Sequence, residues 1–212
     1  MTPLARLATH TLAAALLGTS LSACAPLLIG GAAMGTMVAI DRRTSGTQLE
    51  DETIELRAAS RLREILGDRA HVNVTSYNRQ VLLTGEVADA AARQAAEQAV
   101  AKIDNVRSTV NELGVMAPST LSQRAGDTYI TGKVKATLVD AKDLTAPAFK
   151  VLTERGTVFL MGRVTQREAD RATSLVRQVS GVKRVVRVLE IISEEELARI
   201  APSSTRPASA PR

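Results

Sequence analysis

Apolar residues along residues 51–116 follow two different periods. Over residues 51–66 they recur at helical spacing, and further along they alternate as in strands, on either side of a predicted hairpin turn at Asn78-Arg79. The helical face is formed by Ile54, Ala58, Leu62 and Ile65, and the alternating positions are Val72, Val74, Val81 and Leu83. Asp89 can cap a second helix, which predicts a helix rich in small residues and then a third strand. Its face holds Ala92, Ala95, Ala96, Ala99, Val100 and Ile103, and the third strand holds Val106, Val110, Leu113 and Val115.

Residues 127–192 repeat this pattern. Asp127 aligns with Asp51, residues 158–164 align with 81–87, and Gly181-Val182 aligns with Asn105-Val106. The predicted hairpin turn of the second copy is Arg155-Gly156. Its first helix carries Ile130, Val134, Leu138 and Ala141, and its hairpin strands carry Phe149, Val151, Val158 and Leu160. Its second helix carries Ala169, Ala172, Val176 and Val179, and its last strand holds Val182, Val186, Val188 and Ile191.

Each copy therefore has the order α-β-β-α-β. A sheet with one apolar face needs cover, which two helices packed on that face provide. The sequence predicts an α+β protein with two tandem domains, 51–116 and 127–192, joined by a linker at 117–126. Each domain is expected to be a small three-stranded mixed sheet covered by two helices, near the lower size limit for an independent core.

The N-terminus has the features of a secretory signal over residues 1–23, with Arg6 before an apolar stretch too short to span a bilayer. Leu21-Ser22-Ala23-Cys24 resembles the bacterial lipobox, which implies cleavage before Cys24 and its acylation; the alternative is plain secretion with an incidental cysteine. The residue after the cysteine is not Asp, which implies the periplasmic side of the outer membrane in a Gram-negative source.

The segments outside the two domains are simpler. Residues 24–50 have the composition of a Gly-rich tether, although the GxxxG spacing of Gly31 and Gly35 could pack helices in lipid. Residues 193–212 are expected to hold a short helix end and a disordered tail rich in Pro, Ser and Ala.

Charge differs between the two copies. Residues 51–116 hold eight Lys/Arg and ten Asp/Glu, a balance of −2, whereas residues 124–192 hold thirteen and seven, a balance of +6. If the apolar positions of helix 127–140 face the core, then Tyr129, Gly132, Lys133 and Ala136 face away from it. A phenol beside an amine suits the headgroup zone of an anionic bilayer, and the alternative is an ordinary solvated face. A second basic group, Lys183, Arg184 and Arg187 beside Arg167 and Arg171, is either another polyanion contact or a solvated face.

Candidate catalytic chemistry is sparse. The two histidines are His10, inside the signal, and His71, which opens a strand and is expected at the surface or at a strand edge. Carboxylates such as Asp51, Glu52 and those of residues 194–196 are assigned to helix ends or the tail, where caps and solvation explain them. Gly85 and Gly162 are expected to permit close backbone packing. The sequence therefore predicts no enzyme, no metal, no cofactor and, lacking aromatic stacking platforms, no nucleic-acid binding.

The repeated unit with V-x-L-x-G-x-V on its second strand resembles the BON domain, and the chain resembles the dual-BON outer-membrane lipoproteins from the lipobox to about Ile192. The most specific pieces are Gly46-Thr47-Gln48, Asn73-Val74-Thr75, residues 158–162 and residues 179–185. The resemblance implies a protein that binds anionic phospholipid, phosphatidylglycerol or cardiolipin, through the first helix of the second domain, where Tyr129 stands at a position that can be Trp in relatives. It also implies a role in outer-membrane integrity and concentration at the division site. The alternative is a scaffold for envelope protein partners, such as assembly or peptidoglycan-remodelling factors.

Overall fold

The computed structural model describes residues 41–67 and 70–200. The first repeat comprises α1 (Ser45–Leu66), β1 (His71–Tyr77), β2 (Gln80–Val87), α2 (Ala90–Ala101), β3 (Ser108–Asn111) and the short β4 (Gly114–Val115). The second comprises α3 (Leu121–Asp140), a 3₁₀ turn (Ala146–Ala148), β5 (Phe149–Glu154), β6 (Thr157–Val164), α4 (Gln166–Arg177) and β7 (Arg184–Ile191), and is followed by α5 (Glu194–Ile200). The predicted α+β class and α-β-β-α-β order are confirmed. The signal, Cys24, the GxxxG spacing and residues 201–212 lie outside the described residues.

Both leading helices begin earlier than their apolar positions indicate. Thr44 caps α1 by accepting a hydrogen bond from the amide of Thr47 at 3.2 Å. Thr120 caps α3 in a reciprocal box with Gln123, whose side chain accepts from the Thr120 amide at 2.8 Å. Side chains that satisfy the free amides of the first turn thus extend each helix six residues upstream of the predicted starts at 51 and 127, into segments assigned to the tether and the linker.

Each sheet is mixed, as predicted, but the first has four strands rather than the predicted three, because the short β4 also pairs with β2. In the first, β2 pairs antiparallel with β1 and parallel with β3 and β4; in the second, β6 pairs antiparallel with β5 and parallel with β7. Both central turn residues of each hairpin have positive φ, 50° and 63° at Asn78 and Arg79, and 51° and 76° at Arg155 and Gly156. Such two-residue turns match the right-handed twist of the strands they join, which explains both hairpins.

One face of each sheet is covered by its own two helices. The core of the first repeat consists of Ile54, Ala58, Leu62, Val81, Leu83, Val87, Ala96, Val100 and Leu113. That of the second consists of Val134, Leu138, Ala148, Phe149, Val151, Val158, Leu160, Val164, Ala169, Ala172 and Val176. The expectation that Ile65 and Ala95 belong to the core is wrong, because both are exposed beside a cleft between α1 and α2. The small side chains of α2 are too short to cover Ile65.

The other faces of the two sheets pack against each other, which corrects the expectation of a single apolar face per sheet. This third core holds Tyr77, Leu82, Phe159, Met161 and Val188, with Val110, Leu152 and Val186 at its margin. Since side chains alternate along a strand, Val81 and Leu83 meet the helices while Leu82 meets the opposite sheet. The order of layers is helices, sheet, sheet, helices, within one compact unit.

Gly85 and Gly162 occupy equivalent places in β2 and β6. A Cβ atom at Gly85 would collide with the carbonyl oxygen of His71, and one at Gly162 with the carbonyl oxygen of Ala148. The prediction that these glycines permit close backbone packing is confirmed.

Candidate functional site

The outward surface of α3 carries a stripe of exposed, uncharged residues. We call this stripe the α3 outer face; it consists of Leu121, Ala125, Tyr129, Gly132, Ala136 and Val139. At about 100° of rotation per residue these six positions fall within a sector of about 80°. Leu121 is 83% exposed, and Tyr129 and Val139 are each 69% exposed. Large apolar side chains are thus presented to solvent along one side of the helix.

Cationic residues flank this stripe on both sides. Lys133 and the exposed carboxylate of Asp140 lie beyond one edge, and Lys135 and Arg124 lie beyond the other. The Lys133 ammonium lies 4.9 Å from the centroid of the Tyr129 ring and donates a hydrogen bond to the carbonyl of Ser180. Lys133 is therefore held beside the phenol and remains partly exposed. Lys135 is exposed and forms no ion pair with another described residue.

The structure thus shows three of the four residues predicted on this surface, Tyr129, Gly132 and Ala136, as exposed, and Lys133 as partly exposed. Leu121, Ala125 and Val139 were not among the residues predicted on this surface. Leu121 and Ala125 were missed because they precede the predicted helix start at residue 127. Val139 lies about one helical turn beyond Ala136, so the same helical rotation places it on this surface.

The corresponding surface of α1 differs in charge. It exposes Leu49 (66%) and Leu56 (73%), but Glu52 and Arg63 lie on the same side of the helix. Because the helical layers lie on opposite sides of the stacked sheets, this surface is turned away from the α3 outer face. The first repeat thus offers apolar side chains within a mixed-charge environment.

Most arginines of the second basic group form ion pairs with carboxylates of the same chain. Arg184 binds Glu112 at 2.6 Å, Arg187 binds Asp170 at 2.7 Å and Arg171 binds Asp143 at 2.9 Å. The nearest carboxylate to Arg167 is that of Glu194, at 4.0 Å. Lys183 packs its methylenes near Gly156. These contacts neutralise most of the group and favour the solvated-face interpretation.

Two buried aspartates hold the hairpin turns, a role that the sequence reasoning missed when it placed Asp51 at a helix end. Asp51 accepts hydrogen bonds from the amides of Asn78 and Arg79, each at 2.8 Å. Asp127 accepts from the amides of Arg155 and Gly156 at 2.7 and 2.8 Å. Since α1 and α3 begin upstream, both aspartates lie inside a helix and face the turn. The alignment of Asp51 with Asp127 was the available signal.

Residues just before α1 reach both repeats. Arg42 donates two hydrogen bonds of 2.7 Å to the carboxylate of Glu168 at the start of α4, and Arg43 donates one of 2.7 Å to Asp51. The Arg43 guanidinium also lies 4.2 Å from the centroid of the Tyr77 ring. The segment that leads into α1 is therefore attached to the folded unit.

One polar cluster contains a serine, a histidine and a glutamate. Nucleophilic catalysis requires the serine on one imidazole nitrogen and the carboxylate on the other. Here Ser119 Oγ at 3.4 Å and Glu86 Oε2 at 2.9 Å both face Nδ1 of His71, and Ser119 is 3% exposed. This geometry does not activate Ser119. His71 opens β1, as predicted, but its side chain is largely buried against Glu86 rather than on the surface.

Within residues 41–67 and 70–200, no helix combines the length and apolar character needed to cross a bilayer.

Comparison with known proteins matches both repeats to one family. The model of the BON domain matches residues 51–117 and 126–193. The chain is 35% identical over 183 residues to the outer membrane lipoprotein DolP of Haemophilus influenzae, covering 84% of this chain and 95% of that protein. It is 34% identical over 155 residues to the 21 kDa hemolysin of Actinobacillus pleuropneumoniae, covering 72% and 80%, and 32% identical over 117 residues to the osmotically-inducible protein Y of Escherichia coli, covering 54% and 58%. The chain therefore belongs to the BON-domain family and carries two copies of that domain.

Proposed function

We propose that this chain is a non-enzymatic outer-membrane lipoprotein, anchored through Cys24 on the periplasmic side, that binds anionic phospholipid through the α3 outer face. The proposal includes support of outer-membrane integrity at the division site and phosphatidylglycerol or cardiolipin as the lipid. The observation that carries the lipid contact is the exposed, uncharged stripe of α3 flanked by cations, in a repeat with a charge balance of +6. The outer-membrane location is supported by the relative named an outer membrane lipoprotein and by Ala25 after the cysteine.

The chemistry favours a surface contact of modest strength. Near an anionic leaflet each Lys or Arg contributes about 1 kcal/mol, and this attraction is screened over about 8 Å at physiological ionic strength. Tyr129 can place its ring among headgroups while its hydroxyl stays hydrated, and Leu121 and Val139 add apolar area on either side. Acyl chains on Cys24 would supply the permanent attachment, since two or more chains hold a protein far more firmly than one. The contact by α3 would then set orientation and lipid preference.

The test uses residues 41–212, which lack the cysteine and the apolar tether, in sedimentation with vesicles of neutral or phosphatidylglycerol-containing lipid. We expect binding to the anionic vesicles that weakens as salt is added. Lys135→Glu should lower the affinity about 30-fold, because it reverses one charge and so removes about 2 kcal/mol of attraction. Tyr129→Glu should lower it at least about tenfold through the added charge and the lost ring.

Leu49→Glu is the matched control, since it introduces the same charge at a residue of similar exposure on α1. We expect it to leave vesicle binding within about twofold of the parent protein, because α1 is turned away from the bilayer and screening is strong at that distance. Equal losses in Leu49→Glu and Tyr129→Glu would refute a specific role for α3 and leave only a general charge effect.

A scaffold for envelope proteins is the second candidate function, and the exposed pair Leu49 and Leu56 on α1 favours it. Contiguous exposed apolar surface is typical of partner contacts, and Leu49 and Leu56 lie about two helical turns apart on one side of α1. Crosslinking from Leu56 in cells, followed by identification of the captured envelope protein, tests this candidate. Capture that Leu49→Glu abolishes and Tyr129→Glu does not would support it, whereas capture insensitive to Leu49→Glu would refute it.

A further inference from the structure

Three side chains that are typical metal ligands meet where the two repeats join. His71 and Glu86 are opposite one another in the pairing of β1 with β2, and Glu154 ends β5 of the other repeat. One ligand atom from each, the imidazole nitrogen and two carboxylate oxygens, lies within 4.8 Å of the others. Both repeats therefore contribute to the cluster.

The two carboxylates are in different electrostatic situations. Glu86 is completely buried; its Oε1 accepts from Arg155, and its Oε2 accepts from the amide of Ser119 at 3.1 Å and faces His71 at 2.9 Å. Glu154 accepts one hydrogen bond, from the Asn73 amide group at 3.1 Å, and has no cationic partner among the described residues. Glu154 is thus a half-buried carboxylate whose charge is poorly compensated.

We propose that His71 Nδ1, Glu86 Oε2 and Glu154 bind one divalent first-row transition-metal ion, for which Zn²⁺ is the probe. Nitrogen and oxygen ligands in this combination suit Zn²⁺, whereas Mg²⁺ and Ca²⁺ prefer oxygen alone. Arg155 donates to Oε1 of Glu86, so this ion pair can remain while Oε2 binds the metal. The ion would compensate the charge of Glu154.

A cavity beside the three ligands gives the metal ion access from solvent and leaves room for a fourth ligand. A cavity of about 320 Å³ opens beside the cluster and is lined by His71 and Glu154 from either repeat, together with Arg124 and Asp127. This cavity has room for water as a fourth ligand and gives an entry path from solvent. His71 Nδ1 and Glu86 Oε2 are already 2.9 Å apart. Ligand distances of about 2.0–2.2 Å therefore require mainly that Glu154 approach this pair by roughly an ångström, which its partly exposed side chain allows.

The ion would link the two repeats, because it binds the folded junction and not the unfolded chain. Its effect is a ligand-dependent rise in stability that grows with metal concentration.

Residues 41–212 contain few other side chains that bind Zn²⁺, which simplifies a metal titration. Residues 41–212 contain His71 as their single histidine and no cysteine, so an untagged protein offers Zn²⁺ no competing thiol or second imidazole. Calorimetric titration with ZnCl₂ should give one site per chain, and the imidazole ¹⁵N resonances of His71 should report coordination through Nδ1. MgCl₂ and CaCl₂ should give no saturable binding.

Glu154→Gln separates a ligand role from a structural one. Since this carboxylate is poorly compensated, the substitution should leave the thermal stability of the metal-free protein unchanged or higher, yet weaken Zn²⁺ binding at least about tenfold. His71→Ala should abolish the site, and Glu64→Gln on the exposed side of α1 should leave it intact. Absence of saturable Zn²⁺ binding, or binding that survives Glu154→Gln and His71→Ala, would overturn the proposal.

Discussion

Arg42→Met removes the guanidinium that joins the segment before α1 to the second repeat. In the parent protein both side chains of the Arg42 and Glu168 pair are nearly inaccessible, 7% and 3% exposed. Arg42 donates two bonds of 2.7 Å to the carboxylate and one of 2.9 Å to the carbonyl of Arg163. The substitution leaves Glu168 with the amide of Thr165, at 3.0 Å, as its hydrogen-bond donor.

The magnitude follows from burial. Breaking a buried ion pair by removing one partner costs about 3–5 kcal/mol, because an uncompensated charge remains inside the protein. Burial tends to raise the pKa of Glu168, but the hydrogen bonds from Arg42 and the Thr165 amide outweigh it and hold that pKa below its ordinary value. The parent carboxylate therefore stabilises the fold above its unfolded pKa of about 4.3, and this contribution is lost as pH falls through the lower folded value.

In Arg42→Met the shift of the Glu168 pKa is expected to reverse its direction. Without Arg42, burial dominates and raises the pKa of Glu168, so protonation stabilises the folded variant as pH falls from 7 towards 5. The difference between parent and variant should then be largest near pH 7 and should shrink with acidification. Urea unfolding of residues 41–212 across this pH range measures it.

Two further variants make the test decisive. Arg42→Met combined with Glu168→Gln should recover about 2 kcal/mol, since a neutral amide oxygen can still accept from Thr165 without an unpaired charge. Arg61→Met removes an exposed pair with Glu64, in which the side chains are 58% and 61% exposed, and should change stability by less than about 0.5 kcal/mol. A loss below about 1 kcal/mol for Arg42→Met, or an equal loss in the double variant, would refute the reasoning.

Asp127→Ala removes the acceptor of two turn amides and should lower the free energy of unfolding by about 2–3 kcal/mol in thermal unfolding; an effect below about 1 kcal/mol would contradict the turn-holding role. Gly162→Ala should destabilise the protein by at least about 2 kcal/mol, because the new Cβ meets the carbonyl oxygen of Ala148. Gly126→Ala places its Cβ in open space on a helix and should stabilise the protein by about 1 kcal/mol. The reverse order of stabilities would contradict both expectations. Burial tends to raise the pKa of Glu86, but hydrogen bonds from three donors outweigh this effect and hold the pKa below its ordinary value. The stability that the Glu86 carboxylate contributes should therefore be lost as pH falls below about 4.3. A pH-stability curve of Glu86→Gln that parallels the parent curve would refute this.

Local spacing of apolar residues was sufficient to predict the order of elements, because helix and strand periods are read within a few residues. It was not sufficient for the stacking of the two sheets. The runs Val81-Leu82-Leu83 and 158–161 are continuously apolar, a pattern typical of strands buried on both faces. The apolar Leu82 between Val81 and Leu83 indicates a second buried face of the sheet, although not which surface covers that face.

The polar contacts of the junction could not be predicted for a different reason. Glu86 and Arg155 are separated by 69 positions, and no spacing rule connects them. The upstream part of α1 was missed because Ser45 to Glu50 carry no apolar stripe, so the helix there depends on the cap at Thr44 rather than on burial. In contrast, the outward position of Tyr129 followed from helical rotation alone.

The layered arrangement determines which surfaces the protein can use at the same time. Polar bridges join the repeats around the apolar sheet interface, among them Glu86 with Arg155, Asn78 with Glu190 at 2.6 Å, and Arg42 with Glu168 at the start of α4. With the repeats held in this way, a bilayer lying on the α3 outer face leaves the exposed leucines of α1 directed away from it. Membrane contact and partner contact are then compatible rather than competing, so a partner bound through α1 should stay bound when anionic vesicles are added.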